Sequence, residues 1–405
     1  MNLNKDSKLH VCLVNYEYPN ETSIGGISTY QKRMADSLIK KGCKVTIIAG
    51  ALSKNQEYYE DGVHVYRIIK KFPFKNLSNY TEYSKSVNDI IRKINKNNPI
   101  NIIESPEISA EMLEYQRIRT IPIITKLHTP YFLIRKFNSG APMFPDNVEK
   151  QIFKDEKEVI INSDKIICCT NLLKNLMKKY YSKVNNEMIE VIPNPADITN
   201  FYPRNRKYDS KIILYCGSLE RRKGIYVLLK AIPIVVETLK DENIIFRFIG
   251  KYTNIEKNGR TTKENIMKSI NKKYHKNIEL LGHIENKKLN KYYNDARIGV
   301  VPSLFDNLPY VAMEQLLTEL PIIASNNTGI IEMIEHKKSG ILYNPTDYNA
   351  LAKYIIELYN NPEYAKKLGK KGREEILNKF APDIIAEKMI NIYKGVIDEF
   401  GRRNN

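Results

Sequence analysis

The stretch Val301–Ile334, VPSLFDNLPYVAMEQLLTELPIIASNNTGIIEMI, decides how the chain folds. The apolar run Ile298–Val301 reads as a strand that stops at Pro302. A polar turn, Ser303–Pro309, precedes an amphipathic run from Tyr310 to Glu319. A second strand, Pro321–Ala324, empties into a Ser-Asn-Asn-Thr-Gly turn. Strand, loop, helix and strand in this order are the grammar of a parallel α/β sheet, where ligands gather at the carboxyl ends of strands. Two carboxylates mark the unit. Asp306 lies in the loop and Glu314 on the helix, with seven residues between them. Taken alone, the pair also fits a loop Asp capping the helix near Leu308 and a surface Glu in its first turns.

The same grammar extends in both directions. Upstream, His10–Asn15 is mostly apolar, as a buried parallel strand should be. A polar loop with Gly25-Gly26 follows, and then Tyr30, Met34 and Leu38 at helical spacing, with Ser28 as the expected N-cap. Glycines where a strand's exit loop meets a helix let backbone amides approach an anion; an ordinary loop pair is the plainer alternative. Further strands are expected at Lys44–Ala49, His64–Ile69, Asn101–Glu104, Pro122–Lys126, Lys165–Cys169 and Met188–Ile192. Helices are expected over Tyr80–Lys96 and Leu172–Lys183, the latter facing the core through Leu173, Leu176 and Tyr180. His128, just past a strand end, faces the ligand side of such a sheet unless it is a loop His bonded to backbone.

The pattern restarts after a charged linker, Arg204–Ser210. Lys211–Cys216 is a strand, Gly217-Ser218-Leu219-Glu220-Arg221-Arg222-Lys223-Gly224 its exit loop, and Ile225–Leu239 a helix that Pro233 is expected to kink. Strands at Ile244–Ile249 and Ile278–Leu281, with Gly282-His283-Ile284 after the second, and a helix at Lys287–Asn294 lead back to the opening stretch. Asn326-Asn327-Thr328-Gly329 is expected to open another helix N-terminus, a second phosphate seat. Helices at Asp347–Tyr359, Pro362–Lys379 and Pro382–Phe400 close the chain.

These motifs together resemble the retaining glycosyltransferases of the GT-B fold, most closely glycosyltransferase family four. The family's acid–seven–Glu motif reads here Asp306-(seven)-Glu314, with the first acid one methylene shorter. Pro193-Asn194-Pro195-Ala196-Asp197-Ile198, then Phe201 and Pro203, is similar to the family's interdomain crossing, with Pro195 in place of the usual Gly. Tyr18-Pro19 ahead of Gly25-Gly26 matches the family as well. In the exit loop Lys223 matches the family Lys, while Ser218 stands where an Arg is usual, leaving Arg221 or Arg222 to compensate.

The resemblance implies an α/β fold with two Rossmann-like domains facing across a cleft. Residues 1–195 would form the acceptor-binding domain and 205–380 the donor-binding domain, with a terminal helix, 381–405, packing back on the first. It implies a retaining, metal-independent transfer of sugar from a nucleoside-diphosphate donor, a UDP-sugar first, to a saccharide, lipid-linked or protein acceptor in glycan or cell-envelope synthesis. The implied catalytic residues are Lys223, Asp306 and His128. The implied donor-binding residues are Gly25, Gly26, Gly217, Ser218, Arg222, Lys223, His283, Ile284, Asp306, Asn307, Leu308 and Glu314. Lys223 would take the diphosphate charge, Asp306 the sugar hydroxyls and Glu314 the ribose. No Asp-x-Asp occurs, which favours side-chain cations over a Mg²⁺ or Mn²⁺ clamp, so no cofactor or metal is expected. The departures at Ser218 and Asp306 motivate an alternative, a catalytically weak or inactive partner of the same fold that binds the nucleotide sugar.

Composition narrows the remaining classes. A chain of 405 residues, 42% hydrophobic, has room for two or three domains with sizeable cores. No apolar run approaches the ~20 residues a bilayer span needs, and the first residues do not read as a signal peptide. Five cysteines in apolar contexts, without metal spacing, suit a reducing compartment, the cytoplasm. The net charge of +18 favours anionic partners, though no nucleic-acid-binding motif accompanies it. A Lys-, Asn- and Ile-rich genome bias would produce the same excess. The run Arg67–Lys75, RIIKKFPFK, could lie peripherally on an anionic membrane; its shortness favours a strand end followed by a solvated loop.

Overall fold

The computed structural model describes residues 8–22, 25–69, 78–137, 146–204, 206, 208–252 and 261–404. The chain divides into two compact units: residues 1–134, 142–195 and 382–405 in one, residues 135–141 and 196–381 in the other.

The first unit is built on β1 (His10–Val14), α1 (Gly26–Lys40), β2 (Lys44–Ala51), β3 (Gln56–Glu60), β4 (Val63–Ile69), α2 (Ser78–Asn97) and β5 (Ile102–Pro106). It continues with α3 (Leu113–Gln116), β6 (Ile123–Leu127), α4 (Tyr131–Phe137, which ends in the other unit), α5 (Asp146–Ile161), β7 (Lys165–Cys168), α6 (Asn171–Tyr180) and β8 (Ile189–Val191). The sheet order is β3-β4-β2-β1-β5-β6-β7-β8. Every pairing is parallel except β3 on β4. The strands are apolar because helices cover them. On α2, Tyr83, Val87, Ile91 and Ile94 recur at helical spacing and pack on Cys12, Val14, Ile48 and Ile103.

The second unit begins with β9 (Ile212–Cys216), α7 (Ile225–Leu239), β10 (Ile245–Ile249), α8 (Thr262–Lys268), β11 (Ile278–Gly282), α9 (Asn286–Asp295) and β12 (Ile298–Val301). It ends with α10 (Tyr310–Leu317), β13 (Ile322–Ser325), β14 (Ile341–Tyr343), α11 (Tyr348–Asn360) and α12 (Pro362–Phe380). The order β11-β10-β9-β12-β13-β14 is the doubly wound one, all parallel. The strand order reverses between β9 and β12, so the loops after those two strands flank the ligand crevice of the sheet. On α7, Ile225, Leu228, Leu229, Ile232 and Val235 form one apolar face against Phe246, Phe248 and Val300 of the sheet. Burying each such side chain contributes about 1.5–3 kcal/mol. That packing carries α7 unbroken through Pro233, where a kink was expected.

The final helix, α13 (Pro382–Asn404), belongs to the first unit and contacts α1. Its Ile385, Met389, Tyr393 and Val396 are buried at helical spacing. Most strand expectations fall within two residues of the observed bounds. Several features differ, and β14 and α5 were not expected at all. β3 was not expected, because QEYYE is polar and half exposed as an edge strand. Helix α1 starts at Gly26 with Gly25 as N-cap; Ser28 lies inside the first turn, its Oγ donating to the Gly25 carbonyl at 2.8 Å. On α6, Leu173 and Met177 are buried, Leu176 is half buried and Tyr180 is exposed.

Candidate functional site

The loops after β9 and β12 meet at the point where the strand order reverses in the second unit. Arg221–Lys223 make one 3₁₀ turn, and Gly224 joins it to α7 with φ +73°. A Cβ at Gly224 would stand 1.8 Å from the Pro302 carbonyl oxygen, so only glycine lets this loop lie against the end of β12. The Leu304 amide donates to the Arg222 carbonyl at 2.8 Å, stitching the loops together. Beneath them the buried Tyr215 hydroxyl donates to the Ser218 carbonyl at 2.7 Å, fixing the first bend.

This backbone brings charge together. Lys223 Nζ donates to Asp306 Oδ2 at 2.5 Å, and Arg222 Nη1 stands 3.9 Å from Asp306 Oδ1. Arg222 also donates to Glu220 Oε1 at 2.6 Å and to the Phe305 carbonyl at 3.2 Å, while Arg221 is exposed. Of the two arginines the sequence left open, Arg222 is the one held beside the lysine–acid pair. Burial would raise the Asp306 carboxyl, but Lys223 and Arg222 outweigh it and hold the group below the usual carboxylate range. Asp306 does not cap α10, whose N-cap is Pro309. Asn307 and Leu308 beside it are buried. Ser218, where a further cation was expected, is exposed and contributes none.

Glu314 is buried in α10, not a surface residue. Tyr293 of α9 donates to its Oε2 at 2.9 Å, and Asn286 Nδ2 approaches Oε1 at 3.4 Å. The Tyr293 hydroxyl also stands 3.3 Å from Cys216 Sγ at the end of β9. His283 is exposed and Ile284 half buried after β11, the edge strand, which stands two strands from β9. Asn326–Gly329 opens no α-helix: Gly329–Glu332 is a 3₁₀ turn of four residues capped by Thr328, too short to present a dipole to an anion. The Gly329 amide instead donates to the Asp306 carbonyl at 3.1 Å, bracing the acid's loop.

The first unit gathers a second set at the ends of β1, β5 and β6. A pocket there is lined by Asn15, Tyr30, Gln31, Glu104, Lys126 and His128, among others. The His128 amide donates to both Glu107 carboxyl oxygens, at 3.1 and 3.0 Å, and its ring packs edge-on to Tyr30 at 5.1 Å. Burial, then the Lys126 charge, pulls the imidazole down to about 3, so it is neutral at ordinary pH. Glu104 accepts from Tyr30 and from Tyr393 of α13, at 2.7 and 2.5 Å. Lys126 Nζ donates to the Ile192 carbonyl at 2.6 Å. Burial pushes Glu107 up to about 7 and raises Glu104. Gly25 and Gly26 are exposed, and the amides of Gly25 and Ser28 face the Glu17 carboxyl. An anion seated there would meet that acid.

Sequence patterning did not single out Glu104, Glu107, Glu220, Tyr293 or Asn286. The signal for the first two was present: acids at the end of an apolar strand are unusual unless partnered. Arg67, at the start of the run RIIKKFPFK, lies in β4, the strand end that its shortness favoured; it is buried and donates to Tyr58 Oη at 2.9 Å and the Gly50 carbonyl at 3.0 Å. The rest of that run, from Lys70 on, lies outside the described residues, as does most of the Lys-rich loop after β10. Among the described residues no three His, Cys, Asp or Glu are grouped to hold a metal ion, and no helix is long and apolar enough to cross a membrane.

Comparison with known proteins gives this geometry a lineage. The profile "Glycosyl transferases group 1" matches residues 197–375, and "Glycosyltransferase Family 4" matches residues 24–200. The chain belongs to the family four, group 1 glycosyltransferases. An uncharacterized glycosyltransferase of Methanocaldococcus jannaschii is 22% identical over 97% of this chain and 100% of its own. Sucrose-phosphate synthase from Thermosynechococcus elongatus superposes with a TM-score of 0.79 at 20% identity, covering 97% of this glycosyltransferase and 100% of the synthase chain. HepE of Anabaena, in complex with UDP and glucose, gives 0.71 at 12% identity over 95% and 99%. The solved neighbours share the GT-B class, α/β with two parallel-sheet domains.

Proposed function

We propose that this glycosyltransferase moves a sugar, with retention at the anomeric carbon, from a nucleoside-diphosphate donor to a saccharide or lipid-linked acceptor. The observation that carries the reading is the Lys223–Asp306 pair with Arg222 beside it, at the point of reversal in the second unit. A lysine has three donors, so Lys223 can keep Asp306 and still meet a phosphate oxygen. Fixed cations there stabilise the charge that a departing nucleoside diphosphate gains. Asp306, held ionised, is an acceptor for sugar hydroxyls. Glu314 takes the ribose. In this reading side-chain cations do the work of a metal. Retention and the two acid roles rest on the family resemblance. UDP is the first candidate because the Anabaena neighbour holds UDP and glucose. His128, neutral, serves as a hydrogen-bonding wall for hydroxyls, not as a cation.

The test is nucleoside-diphosphate release from uridine-, guanosine- and adenosine-diphosphate sugars. Wild type should turn over at least one donor, and Lys223→Ala should lose roughly 100-fold or more. Equal turnover by the two proteins would overturn the assignment. The missing cation at Ser218 supports a second reading, a nucleotide-sugar-binding partner without turnover. That reading predicts donor binding by calorimetry with no product from wild type.

A further inference from the structure

The buried acid Glu314 is held by more than its own helix. An ionised carboxyl out of water needs donors, and α9 supplies two of them, Tyr293 and Asn286. Tyr293 is the shorter contact and is itself fully buried. Its hydroxyl has one proton and two lone pairs. That proton is aimed at two acceptors, Glu314 Oε2 at 2.9 Å and the Cys216 sulfur at 3.3 Å, the carboxyl being the nearer. Burial pushes the Cys216 thiol up to about 12, so the sulfur is uncharged at neutral pH. Tyr293 therefore ties the end of β9 to α10 through its hydroxyl. Cys216 stands one residue before the Gly217–Gly224 loop that carries Lys223.

We propose that Tyr293, seated by Cys216, is a positioning residue that aims the Glu314 carboxylate at the ribose hydroxyls of the bound nucleotide. The inference rests on the donor-site assignment above. Tyr293 touches no substrate. Its hydroxyl fixes the rotation of the carboxyl about its last bond, which otherwise turns freely enough to blur a bidentate contact. Oriented acids discriminate because an unmet buried carboxylate costs more than a lost neutral hydrogen bond.

Calorimetry with UDP, GDP and ADP, each beside its 2′,3′-dideoxy counterpart, tests this. Wild type should prefer the ribose form of the diphosphate it binds by roughly 10- to 100-fold. Tyr293→Phe keeps the ring that fills the core. It should shrink that preference to a few-fold while leaving affinity for the dideoxy form unchanged. A Tyr293→Phe protein with undiminished ribose preference overturns the proposal. So does one in which both forms weaken equally, since that is general loosening of the fold. Cys216→Ser retains a polar partner for the hydroxyl and should keep the preference; Cys216→Ala should lower it by a few-fold, and an unchanged preference in Cys216→Ala removes the thiol from the proposal. These two variants also decide the matter if Tyr293→Phe does not fold. Wild type that binds no diphosphate, or shows no ribose preference, brings down the donor-site assignment itself, and this inference with it.

Discussion

Lys223, Asp306 and Arg222 in the second unit, and Glu104, Glu107 and His128 in the first, are both ionisable clusters at the carboxyl ends of strands. Burial raises the carboxyls of both, with opposite outcomes. In the second unit cation and anion are paired, and Asp306 stays charged despite its burial. In the first, Glu107 and Glu104 are raised and His128 is lowered, and each is held mainly by neutral donors or rings. Paired charge at a loop lip suits an ionic ligand such as a diphosphate. A raised acid and a neutral imidazole beside a pocket suit hydroxyls, which need donors and acceptors.

The largest effect expected is on the second unit's cation. Lys223→Ala should cut turnover by roughly 100-fold or more, measured as diphosphate release. Ranked next is Asp306→Asn, which keeps the shape and removes the charge; turnover should fall roughly 10- to 100-fold. That variant also has a pH signature. A carboxyl held low stabilises the fold above its ordinary range, and the stability is lost as pH falls through the depressed value. The wild-type melting temperature should therefore drop more steeply than that of Asp306→Asn below about pH 4.

The first unit should show the opposite slope near neutrality. Glu107, raised to about 7, binds a proton in the folded state that the unfolded chain has already released. Its contribution to stability is therefore full below its unfolded value and is lost as pH rises toward about 7. Glu107→Gln should flatten the fall in wild-type melting temperature between pH 5 and about 8. His128, lowered to about 3, adds a rise in stability across acid pH, which His128→Asn should remove. A Glu107→Gln profile that parallels wild type would erase the contrast between the units. The smallest effect is at Ser218, which is exposed. Ser218→Arg adds the missing cation and should tighten diphosphate binding only a few-fold, because solvent screens it.

Much of this was legible before the structure. The strands announced themselves because parallel strands covered on both sides are continuous apolar runs. Lys223 and the Asp306–Glu314 pair stood out through the family motifs they resemble, not through spacing alone. What stayed hidden follows a physical pattern. Tyr293 sits on the buried face of α9 beside Leu289, Asn290 and Asn294, and nothing in its local pattern tells a packed ring from one whose hydroxyl holds an acid. Glu107 works through its hold on the His128 amide, a contact 21 residues away in sequence that no local pattern encodes. The first-turn serine of α1 looked like a cap because Ser is a common one, yet Gly25 serves. Arg222 was separated from Arg221 only by the turn that half-buries one and exposes the other.

The central claim is that Lys223 is there for the second phosphate. Calorimetry comparing UDP with UMP, and GDP and ADP with their monophosphates, reads it directly. Wild type should bind the favoured diphosphate at least 10-fold more tightly than its monophosphate, and Lys223→Ala should bind the two within a few-fold of each other. A Lys223→Ala protein that keeps the full diphosphate preference would contradict the account.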